Sequence, residues 1–242
     1  MAATFPYALV SEARLLFSSI TQKSAPRGIM GAVPKFSGTF GISKEDFDAI
    51  VKLEVEAIKT ECGDFSGNPN EYYLACTSGE TAAKRVLAKA DLDARGQTAD
   101  KVFKIKEKAE KRAALYRQFA GILTASSQFD VSLAKLENGT IKDIPETEVA
   151  RAQAGKDCFY AGAWVVPNIA LKGFKRKTMD AKDGVTAFLQ NVLFIRNGEK
   201  LGGGGAPNNE VFGSFRGYSP EDPTALAPGG SVSPEDAEPE GF

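Results

Sequence analysis

The turn-rich segment 61–76, ECGDFSGNPNEYYLAC, constrains the fold most, because it can continue neither a helix nor a strand. Glycine, asparagine and proline supply the left-handed and fixed-φ conformations that turns require. Five such residues fall within eight positions: Gly63, Gly67, Asn68, Pro69 and Asn70. A cysteine lies near each end of the segment, at Cys62 and Cys76. The sequence therefore predicts a loop that joins two helices and carries two thiols.

Helical periodicity is present on both sides of this loop. Ser43 and Ser78 are positioned to cap helices, since apolar residues recur at helical spacing after each of them. The longest periodic stretch, Thr98 to Leu123, predicts an amphipathic helix. Its polar face is basic and carries Lys101, Lys104, Lys108, Lys111 and Arg112. Pro145 can start a further helix, and a final one is predicted over Asp180 to Arg196.

The two ends of the chain differ from its middle. Proline and glycine punctuate residues 1–42, which predicts an extended arm with at most a short helix over Ser11 to Ile20. Residues 201–242 are rich in glycine and proline and carry seven acidic residues and one basic residue, whereas residues 1–200 have a net charge of +5. The sequence thus predicts a mainly α protein. A helical body over 43–200 lies between long, extended, loop-rich N- and C-terminal arms.

One apolar run interrupts the helical pattern. Residues 159–171 are broken by Gly162 and Pro167, which predicts an extended core-crossing segment or an edge strand. No stretch of about 18 uninterrupted apolar residues occurs, so no membrane span is expected.

Three cysteines and the complete lack of histidine limit the chemistry available to this chain. A disulfide between Cys62 and Cys76 is one alternative, although an odd cysteine count without a secretory signal disfavours it. Zinc would need more ligands, since the chain lacks histidine and the C-x2-C spacing. A catalytic thiolate is disfavoured because no imidazole can activate it. Buried free thiols are the plain alternative.

Thioether attachment of a prosthetic group suits the neighbours of the thiols. Asp64 follows Cys62 by two residues, and Asp157 directly precedes Cys158. A carboxylate beside a conjugated tetrapyrrole accepts hydrogen bonds from pyrrole N–H groups and stabilises the protonated ring system. Nearby aromatic residues would supply flat apolar walls. Cys62, Cys76 and Cys158 are therefore candidate attachment sites, with Asp64 and Asp157 as the facing carboxylates.

Several short motifs resemble those of phycobilisome linker proteins, in particular the chromophore-bearing gamma subunits of red-algal phycoerythrin. They are Cys62-Gly-Asp64, Cys76-Thr-Ser, Asp157-Cys158-Phe-Tyr160, the helix KRAALYRQFAGIL and the following LENGTIKDI. The resemblance implies a non-enzymatic linker in the central channel of stacked phycobiliprotein α/β hexamers, in contact with other linkers. It implies covalently bound linear tetrapyrroles (phycoerythrobilin or phycourobilin) that harvest light and transfer energy. The implied location is the chloroplast, at the stromal face of the thylakoid membrane.

Two alternatives to this interpretation remain. The first is a colourless scaffold protein of a large complex with the same helices and free thiols. The second is an enzyme whose acid–base groups are Asp, Glu, Lys, Tyr or Cys. Nucleic acid is not expected as a partner, because the whole chain is not basic and no recognised binding motif accompanies the lysines.

Overall fold

The computed structural model describes residues 6–25, 31–63, 65–68, 71–176 and 182–201. Of these residues, 37% lie in strands and 34% in helices, so the prediction of a mainly α protein is wrong. The described strands are β1 (Tyr7–Leu9), β2 (Ala13–Ser24), β3 (Lys35–Ile42), β4 (Cys76–Ser78), β5 (Gly121–Ser127), β6 (Ser132–Glu137), β7 (Thr140–Asp143), β8 (Trp164–Phe174) and β9 (Gly184–Arg196). The described helices are α1 (Lys44–Cys62), α2 (Gly79–Asp93), α3 (Ala99–Tyr116) and α4 (Glu148–Asp157).

Five of the strands close into a barrel. β2 pairs with β3, β3 with β5, and β8 with β9, all antiparallel, while β5 and β9 run parallel. A short antiparallel contact between the starts of β2 and β8, Ala13 with Val165 and Arg14 with Trp164, completes the ring. The closed order β2-β3-β5-β9-β8 with one parallel pair is the topology of the OB-fold.

Additional elements are inserted between the barrel strands. α1, β4, α2 and α3 separate β3 from β5, and the β6–β7 hairpin and α4 separate β5 from β8. β4 pairs with the first part of β5, and Tyr73 just before it forms a bridge to Gly184 at the start of β9. The segment 73–78 therefore fills the space between β5 and β9 at one end of the barrel.

The barrel interior forms the main core because inward and outward side chains alternate along each strand. Phe40, Leu123 and Leu189 point inward and are fully buried. A second cluster lies outside the barrel, where Leu16 and Ile122 pack against α2 and α3. This second cluster fixes the α2–α3 pair against one end of the outer barrel surface.

The helix starts near the turn-rich segment are confirmed. The Ser43 hydroxyl accepts a hydrogen bond from the Asp46 N–H, and the Ser78 hydroxyl accepts one from the Thr81 N–H. α1 ends at Cys62, where Gly63 takes a φ of 95°, a left-handed conformation that glycine adopts without strain. The prediction of an extended segment at 159–171 is confirmed for residues 164–171, which belong to β8, whereas residues 159–163 form bends and a turn.

Three helix predictions are wrong or too long. The short helix over Ser11 to Ile20 is strand β2, and the helix over Asp180 to Arg196 is strand β9 from Gly184 onward. Both stretches contain β-branched and aromatic residues whose apolar spacing fits either period, and pairing with neighbouring strands decides between them. α3 stops at Tyr116, and Leu123 belongs to β5.

The described part of residues 1–42, the predicted N-terminal arm, supplies β1, β2 and β3. Residues 202–242, nearly all of the predicted C-terminal arm, lie outside the described residues.

Candidate functional site

The three cysteines lie on separate elements and are free thiols. Cys62 ends α1, with its Sγ 3.7 Å from the carbonyl oxygen of Phe174. Cys76 is fully buried in β4, and Cys158 follows the last residue of α4. Burial raises the pKa of each thiol, and a carboxyl neighbour adds to the effect: Asp183 for Cys62, Glu54 for Cys76 and Asp157 for Cys158. All three are therefore less ionised than an exposed cysteine.

The structure describes one of the two candidate carboxylates. Asp64 lies outside the described residues. Asp157 lies beside Cys158 in sequence, and its Oδ2 accepts a hydrogen bond from Gln153 Nε2 at 2.7 Å. Among the described residues, no group of three or more His, Cys, Asp or Glu side chains is arranged to hold a metal ion.

The outer barrel surface carries an ordered set of small polar side chains. Register pairs Phe17 with Thr39, and Thr39 with Thr124. Thr186 of β9 completes this row on the far side of the inserted Ala75, whose carbonyl oxygen accepts a hydrogen bond from the Thr124 N–H. Two residues further along the strands, a second row pairs Ser19 with Ser37, Ser37 with Ser126, and Ser126 with Phe188. We call these eight residues the hydroxyl face: Phe17, Ser19, Thr39, Ser37, Thr124, Ser126, Thr186 and Phe188. Six of them are Ser or Thr, and an aromatic ring stands at one end of each row.

The side chains of the hydroxyl face are accessible because strands alternate. Phe36 and Phe40 point into the barrel, so Ser37 and Thr39 between them point outward. Lys35, at the start of β3, lies on the same side of the strand as Ser37 and Thr39 and is exposed. Small side chains on this surface leave the sheet backbone within reach of a flat ligand.

A groove of about 380 Å³ lies over one half of the hydroxyl face. Thr124, Ser126 and Thr186 line its floor, and Arg85 of α2 lines its wall. An adjoining cavity of about 280 Å³ between α1 and β4 shares Arg85. Among the described residues, no carboxylate lines either cavity, and Arg85 is the charged side chain that they share. Within the described part of the chain, Arg85 makes no hydrogen bond or ion pair.

Phe17 and α3 border the opposite end of the hydroxyl face. The Phe17 ring meets the Tyr116 ring edge-on, with centroids 6.2 Å apart. The guanidinium carbon of Arg112 lies 4.0 Å from the centroid of Phe17, a cation–π contact. Tyr116 also lines the groove. The basic side chain Arg112 on α3 is thus joined to the hydroxyl face through aromatic contacts.

A buried carboxyl group supports the strand that borders the groove. Glu54 of α1 has no exposed surface, and its Oε1 accepts a hydrogen bond from the backbone N–H of Cys76 at 2.9 Å. Its Oε2 is buried without a hydrogen-bond partner among the described residues. Burial raises the pKa of Glu54 to about 8, although N–H groups of Cys76 and Ala75 act in the opposite direction. The carboxyl group is therefore mostly protonated at neutral pH, as a neutral link between α1 and β4.

Comparison with known proteins gives a fold relationship. No protein-family model and no curated protein sequence matches this chain. Among solved structures, the C-terminally truncated single-stranded DNA-binding protein from bacteriophage Enc34 is similar, with 14% sequence identity and a TM-score of 0.53. This match covers 81% of this chain and 88% of that one. The same phage protein in complex with single-stranded DNA matches at 15% identity and a TM-score of 0.52, covering 81% and 89%.

These findings correct the resemblance to phycobilisome linkers. The chain shares the barrel fold of single-stranded DNA-binding proteins, and the helical body of a linker is not present in the described residues. The implied light-harvesting function, the covalent tetrapyrrole and the phycobiliprotein and linker partners are therefore wrong. The exclusion of nucleic acid as a partner is wrong too, because the structural neighbours are DNA-binding proteins.

None of the described helices combines the length and the apolar character that crossing a lipid bilayer requires. The chloroplast location stays a prediction that no observation here tests.

Sequence reasoning missed the hydroxyl face, although one local signal for it exists. The segment Phe36-Ser-Gly-Thr-Phe40 lies within residues 1–42, for which the sequence predicted an extended arm. Its apolar–polar alternation is typical of a strand with one buried face. The remaining members of the hydroxyl face come from distant segments, and only strand pairing brings them together.

Proposed function

We propose that this protein binds single-stranded DNA on the hydroxyl face and is not an enzyme. One observation carries the proposal. The outer surface of an OB-type barrel presents two rows of small hydroxyl side chains that end in Phe17 and Phe188, beside the guanidinium of Arg85, which has no ion-pair partner among the described residues. Single-stranded nucleic acid is bound by proteins that combine aromatic platforms for bases with cations for phosphates.

Each part of the surface has a defined role in this proposal. The phenyl rings of Phe17 and Phe188 stack with bases, which every base permits because every base has a π-face. Arg85 contacts a phosphate, since a guanidinium forms paired hydrogen bonds with phosphate oxygens. The serine and threonine hydroxyls donate to or accept from base edges and sugars without specifying a sequence. Little sequence preference is expected as a result.

Two further observations support the proposal. The face that carries these residues is the one formed by the second and third strands of the barrel, here β3 and β5, which OB-folds use for oligonucleotides. The Enc34 protein, whose fold this chain shares, is described as a single-stranded DNA-binding protein and is known in complex with single-stranded DNA.

The proposal is tested by placing a carboxylate on the hydroxyl face. Thr124→Glu adds a negative charge to the exposed centre of the floor, where it repels phosphates and blocks base contact. We expect at least a tenfold loss of affinity for a fluorescein-labelled oligo-dT, measured by fluorescence anisotropy at fixed salt, because one unfavourable contact of about 1.4 kcal/mol is tenfold.

The matched control is Thr140→Glu, the same change on an exposed position of strand β7. Circular dichroism establishes that both variants keep their strand content. Equal affinity of wild type and Thr124→Glu, or failure of the wild-type protein to bind any oligo-dT, contradicts the proposal.

A further inference from the structure

A separate cavity adjoins the Phe17 end of the hydroxyl face. This furrow, as we call it, has a volume of about 600 Å³ and lies between β2 and α4. Phe17 lines it, as do Thr21 and Gln22 of β2 and Lys156 of α4. Because Phe17 belongs both to the hydroxyl face and to the furrow wall, the two surfaces are continuous.

The furrow exists because, on the side opposite β3, the second half of β2 has no neighbouring strand among the described residues. β2 pairs with β8 only through Ala13 and Arg14, after which α4 takes the place of a strand on that side. Gly155 permits the close approach of α4, since a Cβ atom there would lie 2.8 Å from the Thr21 hydroxyl oxygen. The result is a groove with one strand wall and one helix wall.

The chemistry of the furrow repeats that of the hydroxyl face. Two aromatic rings line it, Phe17 of β2 and Tyr160 just after α4. The Tyr160 hydroxyl accepts a hydrogen bond from the Gly198 N–H at 3.0 Å, and Lys200 Nζ lies 5.3 Å from the ring centroid. Lys156 adds a second cation, and Glu148 is the one carboxylate among the described residues that line the furrow. Neither Lys156 nor Lys200 forms an ion pair within the described residues.

We infer that the furrow is a second subsite, which receives the nucleotides that follow those on the hydroxyl face. The inference rests on the proposed function, since it assigns a path to the same single strand. A strand that leaves the hydroxyl face over Phe17 enters the furrow directly, with Lys156 and Lys200 near its phosphates and Tyr160 as the next stacking platform. The bound length is then set by the furrow as well as by the barrel.

Oligo-dT molecules of about 4 to 16 nucleotides separate the two subsites, since this is the span of site sizes that single OB-folds occupy. Wild-type affinity is expected to rise with length until both subsites are filled. Ala152→Phe places a ring in the furrow from the exposed side of α4. It is expected to leave the affinity for the shortest oligonucleotide unchanged and to lower that for the longest by about tenfold.

A second variant protects the test against a folding defect in the first. Lys156→Gln removes one phosphate contact, so the slope of log K against log salt should fall by about 0.7 for the longest oligonucleotide and not for the shortest. Lys101→Gln is the matched control. Arg112 of α3 contacts Phe17 of the furrow wall, and Lys101 lies eleven residues before Arg112, about 16 Å away along the helix.

The outcomes separate the two proposals. Identical length dependence in wild type, Ala152→Phe and Lys156→Gln overturns the furrow subsite while leaving the hydroxyl face in place. An equal loss for short and long oligonucleotides overturns it as well, because the change then acts on the hydroxyl face. A wild-type protein that binds no oligonucleotide of any length overturns the proposed function itself.

Discussion

The hydroxyl face and the β6–β7 hairpin are both exposed β surfaces, but their charges are arranged in opposite ways. In the hairpin, Lys135 and Lys142 lie 3.6 and 2.7 Å from the same carboxylate, Glu137. The hydrogen bond from Lys142 and the charges of both lysines lower the pKa of Glu137. At the hydroxyl face, the groove is lined by Arg85, and no carboxylate lines it in the part of the chain that the structure describes. Exposed β structure thus provides a surface for a polyanion only where its cations are not already neutralised.

The two regions also differ in the environment of a glutamate. Glu54 is buried behind β4 and has a raised pKa, whereas Glu137 is exposed and has a lowered one. The same residue type therefore makes opposite contributions to the pH dependence of stability. This contrast gives the largest of the expected effects.

The free energy of unfolding should depend on pH through Glu54. Its pKa is about 8 in the folded protein and 4.5 when exposed, so the folded state holds the proton more tightly. The stabilisation is complete below pH 4.5 and is lost as pH rises through 8. We expect the free energy of unfolding, measured by denaturant titration, to decrease by on the order of 3 kcal/mol between pH 5 and pH 9.

Glu54→Gln keeps an acceptor for the Cys76 N–H and removes the ionisation, so it should flatten this pH dependence. Glu137→Gln is the control with the opposite sign. The lowered pKa of Glu137 contributes stability that is present above the unfolded pKa and lost as pH falls, so this variant should leave the decrease above pH 5 in place. An unchanged pH profile in Glu54→Gln would show that another group is responsible.

Charge reversal compares the cations of the two surfaces directly. Arg85→Glu replaces the phosphate contact by a repulsion, and we expect about a 100-fold loss of affinity for oligo-dT because charge-assisted hydrogen bonds contribute about 1.5–3 kcal/mol. Lys142→Glu makes the same kind of change in the hairpin and should alter affinity by no more than about twofold. Anisotropy titrations at several salt concentrations measure both. Similar losses in the two variants would mean that net charge, and not the groove, governs binding.

Removing an aromatic ring gives the smallest expected difference. Phe188→Ala deletes a stacking platform at the end of a row of the hydroxyl face, and we expect a loss of about 1–3 kcal/mol in binding free energy. Ile141→Ala truncates a comparably exposed apolar residue, since Ile141 on β7 is 62% exposed. Its affinity should match that of the wild-type protein. A Phe188→Ala variant with full affinity would place the stacked bases elsewhere.

Local signals in the sequence predicted the local features correctly. The caps at Ser43 and Ser78 lie where the sequence indicated, because a capping hydroxyl bonds to an N–H only three residues away. The extended character of residues 164–171 also followed from the glycine and proline of this apolar run. Each of these features depends on interactions within a few residues.

The strands β2 and β9 were predicted as helices for a physical reason. In β9, Val185, Leu189 and Val192 recur at helical spacing, yet Val185 and Leu189 are also buried at the period of a strand. Such a run satisfies both periods, and hydrogen bonds to distant partners decide the outcome. Those partners were not recognisable as strands, so the prediction of a mainly α fold followed.

The sequence by itself determined where the helices begin, where the chain turns and which residue types are available: three cysteines, no histidine and an excess of basic residues before position 201. Only the tertiary structure decided which residues act together. Phe17, Thr39, Thr124 and Thr186 come from four segments that become one row when the barrel closes. The turn-rich cysteine segment can be recognised in the sequence because its pattern is local. The hydroxyl face has no local pattern of comparable strength, since it is created by strand pairing between residues far apart in the chain.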